Sequence, residues 1–416
     1  MEHASRAQTT GQPVRRRRVF FLAGFDPRGP AHYHAVYRDE AARQSQTQAG
    51  TDGTVYAVGA SEPDGEHCVR WTVCSRAAGE SVDTVYRYLC WDDIALDNVP
   101  RGLLAWLRAV FQFWSRHLLQ GGHAASWRLA RRWAWALLSI PIFLIGVLAA
   151  VAVVAGLAYG AASYSPASAG WRWAAAALSG GVVAWWGWRL ALRWNQVWLT
   201  HALNGSYAWA AGQLPALDQR LPGFARRIYE ALQAADDDAV DEILVVGHCM
   251  GAMLGAVVIG QVAQLCADNG RSLGRLRFLT LASPMANYAL LRDDVQVAPA
   301  LRRLAGLDIA WLDYTAPQDP LCCFLVDAIG AVGVPCARRW VRFRMRSARF
   351  DKMVDPAMMQ QVRRDPLRLH FLYLLASHRP VQNDFFALTA GPRSIDDRVA
   401  EPAPGAAGGG AGGLPR

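Results

Sequence analysis

Apolar residues fall along the chain in three kinds of run. Short runs of β-branched, aromatic and aliphatic residues, each closed by polar or turn residues, predict buried strands at 18–23, 54–58, 242–246, 276–281, 308–314 and 340–346, with others near 68–74 and 84–90. Longer segments with helical patterning lie at 31–48, 224–234 and 250–265. Strands that alternate with helices of this length indicate βαβ units and a largely parallel sheet, so the fold class is α/β. No internal repeat is visible.

The third kind of run lies between these halves. From Trp133 to Trp171 there is no Asp, Glu, Lys or Arg, and the core of that stretch is Leu, Ile, Val, Ala and Phe. A helix needs about 20 such residues to cross the hydrocarbon of a bilayer, which predicts a span over 135–159. A second apolar segment between Arg172 and Arg189 predicts a return span over 173–192, with its arginines snorkelling. Arg128, Arg131 and Arg132 precede the hairpin and Arg189 and Arg193 follow it, while its connecting loop offers only Arg172. Positive-inside asymmetry then puts both flanks in the cytoplasm. The expectation is an integral membrane protein of two spans, as in a bacterial inner membrane, with the lipid bilayer as a partner. The preceding segment, 103–114, reads either as an amphipathic helix at the bilayer surface or as a core helix.

Composition sharpens this picture in two places. Twelve of the 17 Trp lie between Trp106 and Trp198, where indoles at the ends of spans gain from having an apolar ring and a wet N–H. The net charge of +9 comes almost wholly from Arg, Lys352 being the one Lys, and the arginines are scattered. That distribution argues against nucleic acid as a partner and leaves the oligomeric state open. With 52% hydrophobic and 19% charged residues, a disordered chain is excluded. The eight cysteines have neither CxxC pairs nor metal-ligand spacing, so reduced thiols are expected, with no metal and no cofactor.

Candidate chemistry centres on Val245-Val246-Gly247-His248-Cys249-Met250-Gly251-Ala252. A buried strand, a sharp turn with small residues on both sides of its apex, and then a helix force the apex residue into strained φ/ψ and expose its side chain. In this form the segment resembles the nucleophile elbow G-x-S-x-G of the α/β-hydrolase superfamily, with Cys249 in place of Ser and Gly247 and Gly251 as the flanking glycines. Cysteine at this position is similar to that of dienelactone hydrolases and polyhydroxyalkanoate synthases. The alternative is a buried, inert cysteine in a structural turn.

The resemblance implies further residues. The superfamily orders its triad as nucleophile, acid, histidine, which points to Asp319 in the loop after the strand at 308–314, or else to an Asp that caps a turn there. For the base it points to His370, in a His-x-x-Tyr pattern with Tyr373, with His378 as the alternative. The oxyanion hole would use the N–H of Met250 and that of Phe25, in the Gly24-containing loop after the first strand. Leu281-Ala282-Ser283-Pro284 resembles the L-G-S-P loop of lipase-like relatives, or Ser283 is simply a helix cap. His248 is expected to pack beside the elbow.

The resulting organisation has five parts. They are a disordered basic N-terminus (1–17), the first part of an α/β-hydrolase-like domain (18–100), the amphipathic helix and membrane hairpin (101–210), the second part of the domain with the elbow (211–395) and a flexible Pro/Gly/Ala tail (396–416). The hairpin departs from the family, whose lid usually follows the nucleophile helix. The implied function is cleavage or transfer of an acyl group from an ester or thioester, with a small-molecule or lipid-like substrate. The alternative is a catalytically inactive membrane scaffold or binding protein.

Overall fold

A computed structural model of the chain describes residues 11–402 apart from 49–52, 78, 98, 100, 165–167 and 236. Nine strands form one mixed sheet, β1 (Arg16–Leu22), β2 (Val55–Val58), β3 (Glu62–Pro63), β4 (Cys68–Ala77), β5 (Glu80–Leu89), β6 (Glu242–His248), β7 (Leu276–Leu281), β8 (Ala310–Thr315) and β9 (Arg342–Ser347). Their order is β2-β4-β5-β1-β6-β7-β8-β9, with β3 beside β4. The block from β5 through β1 to β9 is parallel, whereas β2, β3 and β4 pair antiparallel at one edge.

Both faces of the sheet are covered, which is why its central strands read as unbroken apolar runs. Val19 and Phe21 of β1 pack with Tyr33, Tyr37 and Ala41 of α1 (Gly29–Gln48), while Phe20 and Leu22 face the opposite core. That second core is built by α8 (Pro215–Gln233), through Leu221 and Ile228, and α9 (Met250–Asp268), through Leu254 and Val258.

Between β5 and α8 the chain inserts α2 (Asp92–Asp97), α3 (Leu103–Leu119), α4 (Gly122–Leu129), α5 (Arg131–Ser163), α6 (Ala169–Arg193) and α7 (Gln196–Ala210). The helices α5 and α6 pack antiparallel, with Tyr159 against Trp173 at 4.8 Å near the connection and Phe143 against Trp194 at 5.7 Å near the base. Only the first turns of α5 are buried, at Trp133, Ala134, Leu137 and Ile140, and beyond them Ile145, Leu148, Val153 and Leu157 are exposed. Among the described residues two helices are long and apolar enough to cross a membrane. They are α5, whose most apolar stretch is 11% buried, and α9, which is 67% buried and serves as a core helix. The Trp- and Gly-rich α6 does not reach the same measure of apolarity.

The helix α3 has one face in the core and an exposed apolar stripe on another. Trp106, Val110 and Phe113 are buried, with Trp106 against Phe143 and Trp188 of the hairpin base, while Leu104, Phe111 and Leu118 form an exposed stripe at seven-residue spacing.

Both expected termini are shorter than the sequence reading. The strand β1 starts at Arg16, where Arg17 pairs with Glu242 in the core at 2.6 Å. At the other end, a helix over Ile395–Ala400 is capped by Ser394 and held against the edge of the sheet by Arg277 and Arg342 through Asp396. Arg342, Arg344 and Arg346 of β9 thus fix this helix to the edge, and 403–416, like 1–10, lies outside the described residues.

Candidate active site

The helix after β1 lies on one face of the sheet and the helix after β6 on the other, so the chain diverges above the carboxyl ends of two adjacent strands. Such a divergence opens a crevice, the usual binding place of an open α/β sheet. Cys249 sits there, at the turn from β6 into α9. Its φ of 55° and ψ of −123° are strained for a residue with a side chain.

The flanking glycines are dictated by space. A Cβ on Gly251 would lie 1.9 Å from the Leu22 carbonyl oxygen, and one on Gly247 would lie 2.5 Å from the Ala252 Cα. The loop after β1 approaches from the other side, with the Cβ position of Gly24 3.0 Å from that of Cys249. Phe25 follows Gly24, and its ring is packed edge-on against Trp91 and His201. The amide of Met250 is the first of α9, where no acceptor exists within the helix. Neither it nor the amide of Phe25 donates in any of the described hydrogen bonds.

Asp319 and His370 come together beside this turn, and both are buried. His370 Nδ1 lies 2.9 Å from Asp319 Oδ2, so the ring nitrogen donates to the carboxylate. Asp319 Oδ2 also accepts from the Tyr373 hydroxyl at 3.1 Å, and Oδ1 accepts from the Leu321 amide at 2.8 Å. The helix Pro366–Phe371 that carries His370 starts at Asp365, whose carboxylate caps the amides of Leu367 and Arg368 at 3.1 Å.

Burial alone would lower the His370 pKa, but the charges of Asp319 and Cys249 outweigh it and raise it to about 10. The Nε2 atom makes no aligned hydrogen bond. The sulfur is near enough to raise the imidazole pKa through charge and hydrogen bonding, although the contact falls short of strict hydrogen-bond alignment. Loose contacts of this kind are common before a ligand binds.

His248 takes a supporting place. Its Nε2–H donates to the His370 carbonyl at 2.9 Å, and the two rings lie 4.9 Å apart. Burial, with the neighbouring His370, pushes its pKa down to about 3, so it is neutral. His378 lies elsewhere. It pairs with Asp355 at 2.9 Å on a partly exposed surface, apart from the Asp319–His370 pair. Ser283 lies in the buried loop after β7, where its carbonyl accepts from Cys323 and its hydroxyl lies 3.4 Å from the Met285 amide.

Sequence reasoning missed a second set of residues. Asp26 is buried and accepts from Arg28 at 2.6 Å and from the Tyr33 hydroxyl at 2.9 Å. Burial opposes its ionisation, but the hydrogen bonds and charge of Arg28 hold its pKa below the ordinary value. The Arg28 guanidinium stacks 4.7 Å over Phe371, the residue after His370. The loop after β1 is thereby fastened to the helix that carries the imidazole. The only sequence signal was an Asp-Pro-Arg run after the first strand. Near Met250, Ser206 of α7 lies 3.2 Å from the Met250 sulfur and hydrogen-bonds Tyr288, which the charge of Cys249 also reaches. Among the described residues no cluster of His, Cys, Asp and Glu is suited to a metal ion, and the eight cysteines are unpaired.

No family model, curated protein or solved structure matches this chain.

Proposed function

We propose that the chain is a membrane-anchored enzyme of the α/β-hydrolase type, which takes an acyl group from an ester or thioester onto Cys249. The observation that carries this reading is the buried Asp319–His370 pair beside a cysteine held at a strained strand-to-helix turn. A neutral structural turn would not need a carboxylate, an imidazole and a thiol in one crevice.

His370 Nε2, kept protonated by its raised pKa, already holds the thiol proton when Cys249 Sγ attacks the acyl carbon. The electron pair of the carbonyl moves to oxygen, and the amides of Met250 and Phe25 hold that oxyanion. Collapse of the intermediate breaks the bond to the leaving alcohol or thiol, which takes the proton from Nε2 and leaves an S-acyl enzyme. Water, or a second acceptor, then gives its proton to the neutral His370 and accepts the acyl group, and sulfur is released with that proton still on Nε2. Asp319 keeps Nδ1 protonated and stabilises the imidazolium throughout.

The anchor is the α5–α6 hairpin, supported by the exposed apolar length of α5 and by the arginines at its base. Positive-inside asymmetry then places the catalytic domain in the cytoplasm. Detergent-solubilised protein should hydrolyse chromogenic esters or thioesters, and Cys249→Ala should remove at least 100-fold of kcat/KM, about 2.7 kcal/mol of transition-state stabilisation. Equal turnover by the variant, or no turnover by either protein, favours the scaffold reading.

A further inference from the structure

A cavity of about 380 Å³ lies between the base of the hairpin and the two segments that carry Asp319 and His370. One wall is formed by Trp135 and Ala136 of α5 together with Trp194, just after α6, and Leu199 in the first turn of α7. The other is formed by Leu321, two residues beyond Asp319, and Leu367, one turn before His370. Arg132, at the start of α5, hydrogen-bonds the Pro317 carbonyl and ties the two walls together.

Two observations say what occupies this space. First, it lies where the exposed apolar surface of α5 begins, between Trp135 and Trp194, which are 59% and 57% exposed and suited to a bilayer interface. The exposed Leu104, Phe111 and Leu118 stripe of α3 belongs to the same end of the hairpin, because Trp106 anchors α3 to Trp188. Second, nine of the fourteen residues that line the cavity are apolar or aromatic, against Arg132, Ser139, Asn195, Gln196 and Gln318, and its volume suits a single flexible chain within the range of about 300–1,000 Å³ usual for ligand sites.

We propose that this cavity receives one long acyl chain of a bilayer lipid, drawn from the leaflet around the hairpin base, so that the substrate is a membrane lipid ester. The inference rests on the acyl-transfer reading of Cys249. It adds the substrate class and the side from which it arrives. The chain lies against the loop of Asp319 and the helix of His370, so part of the binding energy is supplied by apolar contact beside the two segments that carry the reacting groups.

The test uses the full-length protein in phosphatidylglycerol/phosphatidylcholine vesicles that contain a phospholipid with a photoactivatable diazirine near the end of one acyl chain. Cross-links should map to peptides containing Trp135, Trp194, Leu199 or Leu367, and they should persist in Cys249→Ala, since binding does not need the nucleophile. Ala136→Trp and, separately, Leu199→Trp fill the cavity. Each should reduce these cross-links at least tenfold and raise KM for a long-chain ester at least tenfold, while turnover of an acetyl ester stays within twofold. Cross-links confined to the outer face of α5, or unaltered by both substitutions, overturn the proposal. If cross-linking behaves as expected but no ester is turned over, the cavity assignment stands and the acyl-transfer reading fails.

Discussion

Asp319 is held by three donors, His370 Nδ1, the Tyr373 hydroxyl and the Leu321 amide, and this fixes both the tautomer and the tilt of the imidazole. Tyr373 also accepts from the Ala316 amide at 2.8 Å, so it joins the end of β8 to the carboxylate. Tyr373→Phe strips one donor from a buried carboxylate and the acceptor from a buried amide. It should destabilise the fold by about 1–3 kcal/mol and shift the pH profile of kcat/KM. Denaturant titration and a pH–rate series check the two effects, and a loss of stability with an unmoved pH profile would reduce Tyr373 to a structural role. His248 gives a second prediction. It is neutral in the fold, with a pKa of about 3 against an ordinary 6.5, so the unfolded chain binds the extra proton. Stability from this group is therefore present above about pH 6.5 and lost as the pH falls toward 3, at up to about 1.4 kcal/mol per pH unit. Urea midpoints measured across that window should fall less steeply for His248→Gln, whose side-chain amide can still donate to the His370 carbonyl.

Elements were legible in the sequence where a single local rule decided them. The run 276–281 predicts β7 to the residue because every position in it is buried, and the elbow is legible because the close approach of β1 to α9 admits only glycine at 251. Gly251→Ala should accordingly cost about 3 kcal/mol or more, or prevent folding, read as a lost or lowered thermal transition. A variant as stable as the parent would contradict the packing of β1 on α9. What escaped the sequence depends on partners distant in the chain. The helix Ile395–Ala400 looked like tail because its few apolar residues carry little signal, while its fixing comes from Arg277 and Arg342, far upstream. Asp26 and Arg28 drew no reading from the sequence, since nothing local shows that Arg28 reaches across to Phe371. The choice between His370 and His378 needed the third dimension for the same reason: each has an Asp partner, and only that of His370 is buried beside Cys249.

At the scale of the whole molecule, a net charge of +9 and an exposed apolar hairpin call for the same surroundings. Under the proposed anchoring, arginines at the base would meet anionic headgroups while α5 would lie among lipid chains. Charge alone would be screened by salt, whereas burial of α5 would not be. The protein should therefore stay with membranes through high-salt and alkaline carbonate washes and leave only in detergent; release by salt would reduce the hairpin to a surface contact. Topology gives a further readout through Cys336, which is exposed on the α/β domain. A membrane-impermeant maleimide added to intact cells should fail to label it until the cells are opened.

These scales meet at one sulfur. The most direct measurement is peptide mass spectrometry of the reconstituted protein after brief exposure to a long-chain acyl thioester or lipid ester and acid quenching. The account predicts an acyl adduct on Cys249 that forms faster than on any other of the eight thiols, the exposed Cys336 included, and that is slowed strongly by His370→Ala. Acylation of Cys336 with Cys249 unmodified, or an adduct on Cys249 that forms equally fast without His370, would contradict it.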